Sequence, residues 1–68
     1  MAERLANKLK DRRTELGLTQ AELAERVGVT RKTVNTVENG VFTPSATLAI
    51  KLAKALELSV EQLFWIER

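Results

Sequence analysis

The chain has 68 residues, 44% hydrophobic and 29% charged, with eleven Lys and Arg against nine Asp and Glu. That composition suits one small folded domain over residues 1–68 and excludes a disordered tail, although so short a chain buries only roughly 60% of the surface that its unfolded form exposes. With no Cys and no His, it lacks disulfides, thiolate nucleophiles, iron–sulfur ligands, the commonest zinc ligand and the commonest general base near neutral pH, so no metal, no cofactor and a binding module rather than an enzyme are expected. There is no long apolar run, and Glu3 stands where a secretory leader would carry only basic residues, so a cytoplasmic protein without membrane association is expected.

Leu5, Leu9 and Leu16 recur at helical spacing, supported by Ala2 and Ala6 with charged residues between, which predicts a first helix over about Ala2 to Leu16. Thr19 to Glu22 fit a capping box and open a second helix that runs to Val27. Gly28 and Val29 give a tight turn. Thr30 is then an N-cap residue for a short third helix, Arg31 to Asn39, which stops at Gly40. Pro44 lacks an amide and biases Thr43 toward extended backbone, so Val41 to Pro44 is a loop. Ser45 to Leu56 reads as a fourth helix with Leu48, Ala49, Leu52, Ala55 and Leu56 inward, and Ser59 to Gln62 repeat the capping-box pattern ahead of Leu63 and Phe64 in a fifth. No strand pattern, repeat or low-complexity segment appears, so the fold class is all-α.

Helices two and three are joined so closely that they must cross at short range. Ala24 is small where the next helix passes over it, Gly28 takes positive φ without steric cost, and Leu23, Val29, Val34 and Val37 share one core. The string LTQAELAERVGVTRKTVNTVENG from Leu18 to Gly40, followed by Thr43, Pro44 and Ser45 and by Leu63 and Phe64, strongly resembles the Cro and phage-repressor (XRE-like) helix-turn-helix DNA-binding domains. The resemblance covers about Leu5 to Phe64, and T-Q-x-x-L-A, G-V-T-R and V-E-N-G stand in register. It implies a five-helix bundle of the lambda-repressor-like type, with helix three in the DNA major groove, commonly on a two-fold symmetric dimer.

The residue chemistry points the same way. No acid occurs between Glu25 and Glu38, whereas Arg26, Arg31 and Lys32 stand there among hydroxyl and amide side chains. A helix fits the major groove, where Arg and Lys donate to guanine O6 and N7. Arg31, Lys32, Thr33, Asn35 and Thr36 are therefore candidate base contacts, with Val34 and Val37 facing inward. Gln20, Thr30 and Asn39 at helix ends, and Thr43 in the loop, are candidate phosphate contacts. Arg13 and Glu38 fall on apolar stripes where an unpaired charge is costly, so they are predicted to pair, and the resemblance implies an equivalent bridge.

On helix four, Ala46, Ile50 and Ala53 lie opposite the inward stripe, and Trp65 and Ile66 follow Leu63 and Phe64 too closely for one helical face to bury all four. Ile50 and Trp65 are the candidate dimer contacts. The expected partner is double-stranded DNA with a pseudo-palindromic operator bound by a homodimer, with no small-molecule ligand. The expected function is a prokaryotic sequence-specific transcriptional regulator, a repressor. An antitoxin that also autoregulates its operon is the alternative, disfavoured because only Trp65 to Arg68 lie beyond the last core residues; a protein-interaction bundle without a DNA role is a third.

Overall fold

The computed structural model describes residues 2–68. Its elements in chain order are β1 (Arg4–Asn7), α1 (Leu9–Glu15), α2 (Gln20–Val27), α3 (Arg31–Glu38), α4 (Ala46–Ala55), α5 (Val60–Leu63) and β2 (Phe64–Glu67). Both chain ends correct the all-α expectation, because β1 and β2 pair antiparallel, with Leu5 opposite Ile66, Ala6 opposite Trp65 and Asn7 opposite Phe64.

Asn7 explains why the first helix begins at Leu9 and not near Ala2. Its side-chain oxygen accepts from the Leu9 amide at 2.9 Å, its side-chain nitrogen donates to the Val37 carbonyl at 3.0 Å, and the next amide, Lys8, donates to the Leu63 carbonyl at 3.1 Å. A local side-chain bond of this kind offers the backbone an alternative to helix. At the other end Phe64, Trp65 and Ile66 are aromatic or β-branched and favour a strand. Two such short strands would be marginal alone, but Phe64 belongs to the core and Leu5 packs against it, which anchors the sheet.

Side-chain caps and left-handed residues set the helix ends between the strands. Thr19 accepts from the Glu22 amide while the Glu22 carboxylate accepts from the Thr19 amide, and Ser59 and Gln62 form the same reciprocal pair. Thr30 and Ser45 cap α3 and α4 through the amides of Thr33 and Leu48. Gly28 closes α2 at φ 77°, and its amide and that of Val29 both donate to the Ala24 carbonyl, at 2.9 and 3.0 Å. That geometry is what lets α3 leave the turn at once.

The core joins Leu9, Leu18, Leu23, Val27, Val34, Val37, Leu52, Leu56, Leu63 and Phe64 with the small residues Ala24 and Ala53. Ala53 is buried, which corrects its assignment to the outer face of α4. The stripe is centred on Leu52 and Ala53 because α4 packs against α2, leaving Leu48 and Ala55 at its margins. Among the described residues no helix is long and apolar enough to cross a membrane.

Candidate nucleic-acid interface

The helical repeat sorts α3 into three faces. Val34 and Val37 are each 1% exposed and point into the core. Arg31, Asn35 and Glu38 recur at i, i+4 and i+7 along the flank toward the start of α2, where Arg31 and Gln20 border one cleft. Lys32, Thr33 and Thr36 lie on the other flank, toward the loop that follows α3.

A polar network holds the first flank. Arg13 donates from Nε to Glu38 Oε2 at 2.6 Å, and from its terminal nitrogens to Glu38 Oε1 at 3.4 Å and the Leu18 carbonyl at 2.8 Å. The side chains of Arg13 and Glu38 are 12% and 2% exposed, so the remaining exposure of Glu38 lies in its main chain. Gln20 Nε2 adds bonds to Glu38 Oε1 at 3.0 Å and Asn35 Oδ1 at 3.2 Å, and Asn39 donates to the same Asn35 oxygen at 3.0 Å. A carboxylate this buried would be costly alone; here a fork-shaped guanidinium and an amide satisfy it.

The electrostatic result is a helix whose one acid is withdrawn and neutralised. Arg31 and Lys32 are exposed and, among the described residues, neither enters an ion pair. Thr33 and Thr36 are half-buried, and the Thr36 hydroxyl donates to the Thr33 carbonyl at 3.0 Å. Thr30 Oγ1 lies 3.0 Å from Thr33 Oγ1 and accepts from the Thr33 amide. Asn39 and Thr43 are exposed, Asn39 immediately after α3 and Thr43 in the loop. The outer surface of α2 is acidic by contrast, and at its start the bond from the Thr19 amide holds the Glu22 carboxyl below the usual carboxylate range.

Gln20, Asn35 and Asn39 are thus brought together with Arg13 and Glu38, whereas Thr43 stands apart from that network. Ile50 and Trp65 are 48% and 40% exposed; Trp65 lies opposite Ala6 in the sheet, where its ring N–H donates to Glu67 at 3.4 Å. Sequence reasoning missed Asn7, which ties the start of α1 to the end of α3. Its signal was present: a capping residue type two positions before a buried leucine. It also passed over Val41 and Phe42, which are 79% and 48% exposed.

A family model described as helix-turn-helix matches residues 9–63. An HTH-type transcriptional regulator of Bacillus subtilis, YgzD, is 44% identical over 63 residues, covering 93% of this chain and 96% of its own. Antitoxin HipB of Escherichia coli K12 is 38% identical over 56 residues, 82% of this chain and 64% of its own. Among solved structures, the restriction-modification controller protein C.AhdI of Aeromonas hydrophila superposes with a TM-score of 0.77 at 39% identity, over 82% of this chain and 85% of its own. The P22 c2 repressor in complex with a synthetic operator gives a TM-score of 0.77 at 30% identity, over 79% and 82%. This chain belongs to the helix-turn-helix family, in the Cro and phage-repressor (XRE-like) group that its own residues resemble.

Proposed function

We propose that the protein is a transcriptional repressor that binds double-stranded DNA sequence-specifically, with α3 in the major groove and no catalytic role. The observation that carries this reading is α3 itself: two exposed cations at its start, no exposed acid, and an angle set from behind by Arg13 and Glu38. The likeness to a repressor bound to its operator supports it.

On this reading Arg31, Lys32, Thr33, Asn35 and Thr36 meet base edges, and Gln20, Thr30, Asn39 and Thr43 meet phosphates. Both donor positions of the Gln20 side chain are already used within the protein. Its phosphate contact therefore falls to its main-chain amide, in the first turn of α2 where the helix leaves an amide without an intrahelical partner. A homodimer would place two copies of α3 on the halves of a pseudo-palindromic operator.

Selection of bound sites from random duplexes tests this directly. The expected outcome is a two-fold symmetric consensus whose affinity falls steeply with salt; a chain that selects no sequence and binds no duplex at low salt would overturn it. The similarity to antitoxin HipB favours a second reading, in which the same domain also binds a toxin. Co-purification of a stoichiometric partner encoded beside this chain would decide for that reading.

A further inference from the structure

We propose that Val41 and Phe42 form an apolar shelf beside α3 that reads the C5-methyl group of a thymine in the operator, next to the base pair met by Lys32. The inference rests on the DNA-binding reading and assigns it two residues whose exposure nothing else accounts for.

Val41 and Phe42 are among the most exposed large apolar residues of the protein, at 79% and 48%. They are also fixed in place. Both of their amides donate to the Thr36 carbonyl, at 2.9 and 3.2 Å, so this loop is carried by α3 itself. Phe42 also lines a second cleft, together with Val37 and Phe64 of the core. An apolar surface held this firmly costs little further ordering when it meets a ligand.

The shelf is continuous with the second flank of α3. Val41, Phe42 and Leu48 line an open cleft of about 450 Å³ together with Lys32, Thr33 and Thr36, three of the residues assigned to base edges. Its one charged lining residue is the cation Lys32, and no acid lines it. That is complementary to a polyanion. A two-fold contact between copies centred here would instead bring two Lys32 ammonium groups together, which disfavours a second copy as the occupant. The Thr36 hydroxyl hydrogen is committed to the Thr33 carbonyl, so toward the cleft Thr36 offers its methyl and its acceptor lone pairs but no donor.

In the major groove the apolar group on offer is the thymine C5-methyl, adjacent to the O4 acceptor. An apolar shelf beside a donor fits that pattern: Lys32 donates to the acceptors of one base pair while the neighbouring thymine methyl enters the cleft. Removing one buried methyl should weaken binding about fourfold.

The test uses the full chain and an operator selected from random duplexes, with each thymine replaced in turn by deoxyuridine, which lacks only the methyl. The expected result is one thymine per half-site whose replacement weakens wild-type binding about fourfold, and whose replacement has no effect on Val41→Ala, while sensitivity at the other thymines is unchanged. Val41 is exposed enough for this variant to fold, and an unchanged helical signal checks it. If Val41→Ala weakens all sequences alike, or if no thymine methyl is coupled to it, the shelf does not read thymine although the protein binds DNA. If Val41→Ala instead dissociates a dimer without altering half-site preference, the occupant is a second copy and the proposal falls. Should the wild-type chain bind no duplex, the DNA-binding reading itself fails first.

Discussion

At the scale of single residues, exposure and partners separate those proposed to read DNA from those that hold α3 in place. Arg31 and Lys32 are exposed and form no ion pair among the described residues, so Arg31→Ala and Lys32→Ala should each weaken specific binding by about 1 to 3 kcal/mol and leave thermal stability unchanged. Gln20→Ala should act differently. It removes one of the two donors that hold the Asn35 oxygen, leaving Asn39, and takes a bond from Glu38, so preference should relax at the base nearest Asn35; a purely uniform loss across sequences would show that Gln20 only positions the backbone. Removing either Arg13 or Glu38 should destabilise the fold by about 3 kcal/mol or more, because the other charge would remain buried. Denaturant curves for the singles and the double variant should then show strong coupling, and a coupling of zero would refute the pair as an energetic unit. Glu22 supplies the pH dependence. Its carboxyl is held low by the Thr19 cap, so its contribution is present above the ordinary carboxylate range and is lost as pH falls through the lowered value. Glu22→Gln keeps a cap-competent side chain without the titration, so the acid-side loss of stability should shrink in that variant.

At the scale of elements, legibility in the sequence followed how local each determining interaction is. α2 reads over Gln20 to Val27 because its start and stop are made by its own neighbours: the reciprocal Thr19 and Glu22 bonds at one end and Gly28 at the other. The predicted first helix failed for the opposite reason. Leu5 and Leu9 do share the core side, so the apolar spacing was sound, but a strand and a helix meeting at Asn7 can present the same two leucines inward. What decides between them is the pairing of residues 4–7 with 64–67, a contact across nearly the whole chain that periodicity does not carry. Ala53 was misplaced similarly, since only the packing of α4 on α2 selects its stripe. Of the candidate site, the polar face of α3 was legible because helical geometry alone turns those side chains outward; the use of Gln20 and Asn39 to hold Asn35 was not, because it depends on how two helices cross. Asn7 offers the element-scale test. It accepts from the Leu9 amide and donates to the Val37 carbonyl, so Asn7→Ala should cost about 1 to 3 kcal/mol and increase amide exchange at the start of α1. A change below about 0.5 kcal/mol would show that the sheet alone sets the start of that helix.

At the scale of the whole molecule, the question is how a chain this small reaches useful affinity. One copy of α3 spans only a few base pairs, whereas two copies about 34 Å apart read half-sites one helical turn apart and double the phosphate contacts. A two-fold dimer needs a self-complementary patch elsewhere. Ile50 and Trp65 remain the candidates: neither belongs to the core and both are exposed. In β2 the alternation of a strand turns Trp65 to the opposite sheet face from the buried Phe64. The indole stands opposite Ala6, a small residue that covers little of it, and its ring N–H is satisfied at the surface by Glu67, so an apolar partner could bury the ring without orphaning a donor. Sedimentation at micromolar concentrations should therefore show a dimer that Trp65→Ala or Ile50→Glu dissociates while the helical signal persists. The same variants should lose affinity for the full operator far more than for an isolated half-site, because each monomer keeps its own α3 intact. A wild-type chain that remains monomeric both free and on its selected operator, or dimers that both variants leave intact, would place the two-fold contact on another surface or remove it altogether.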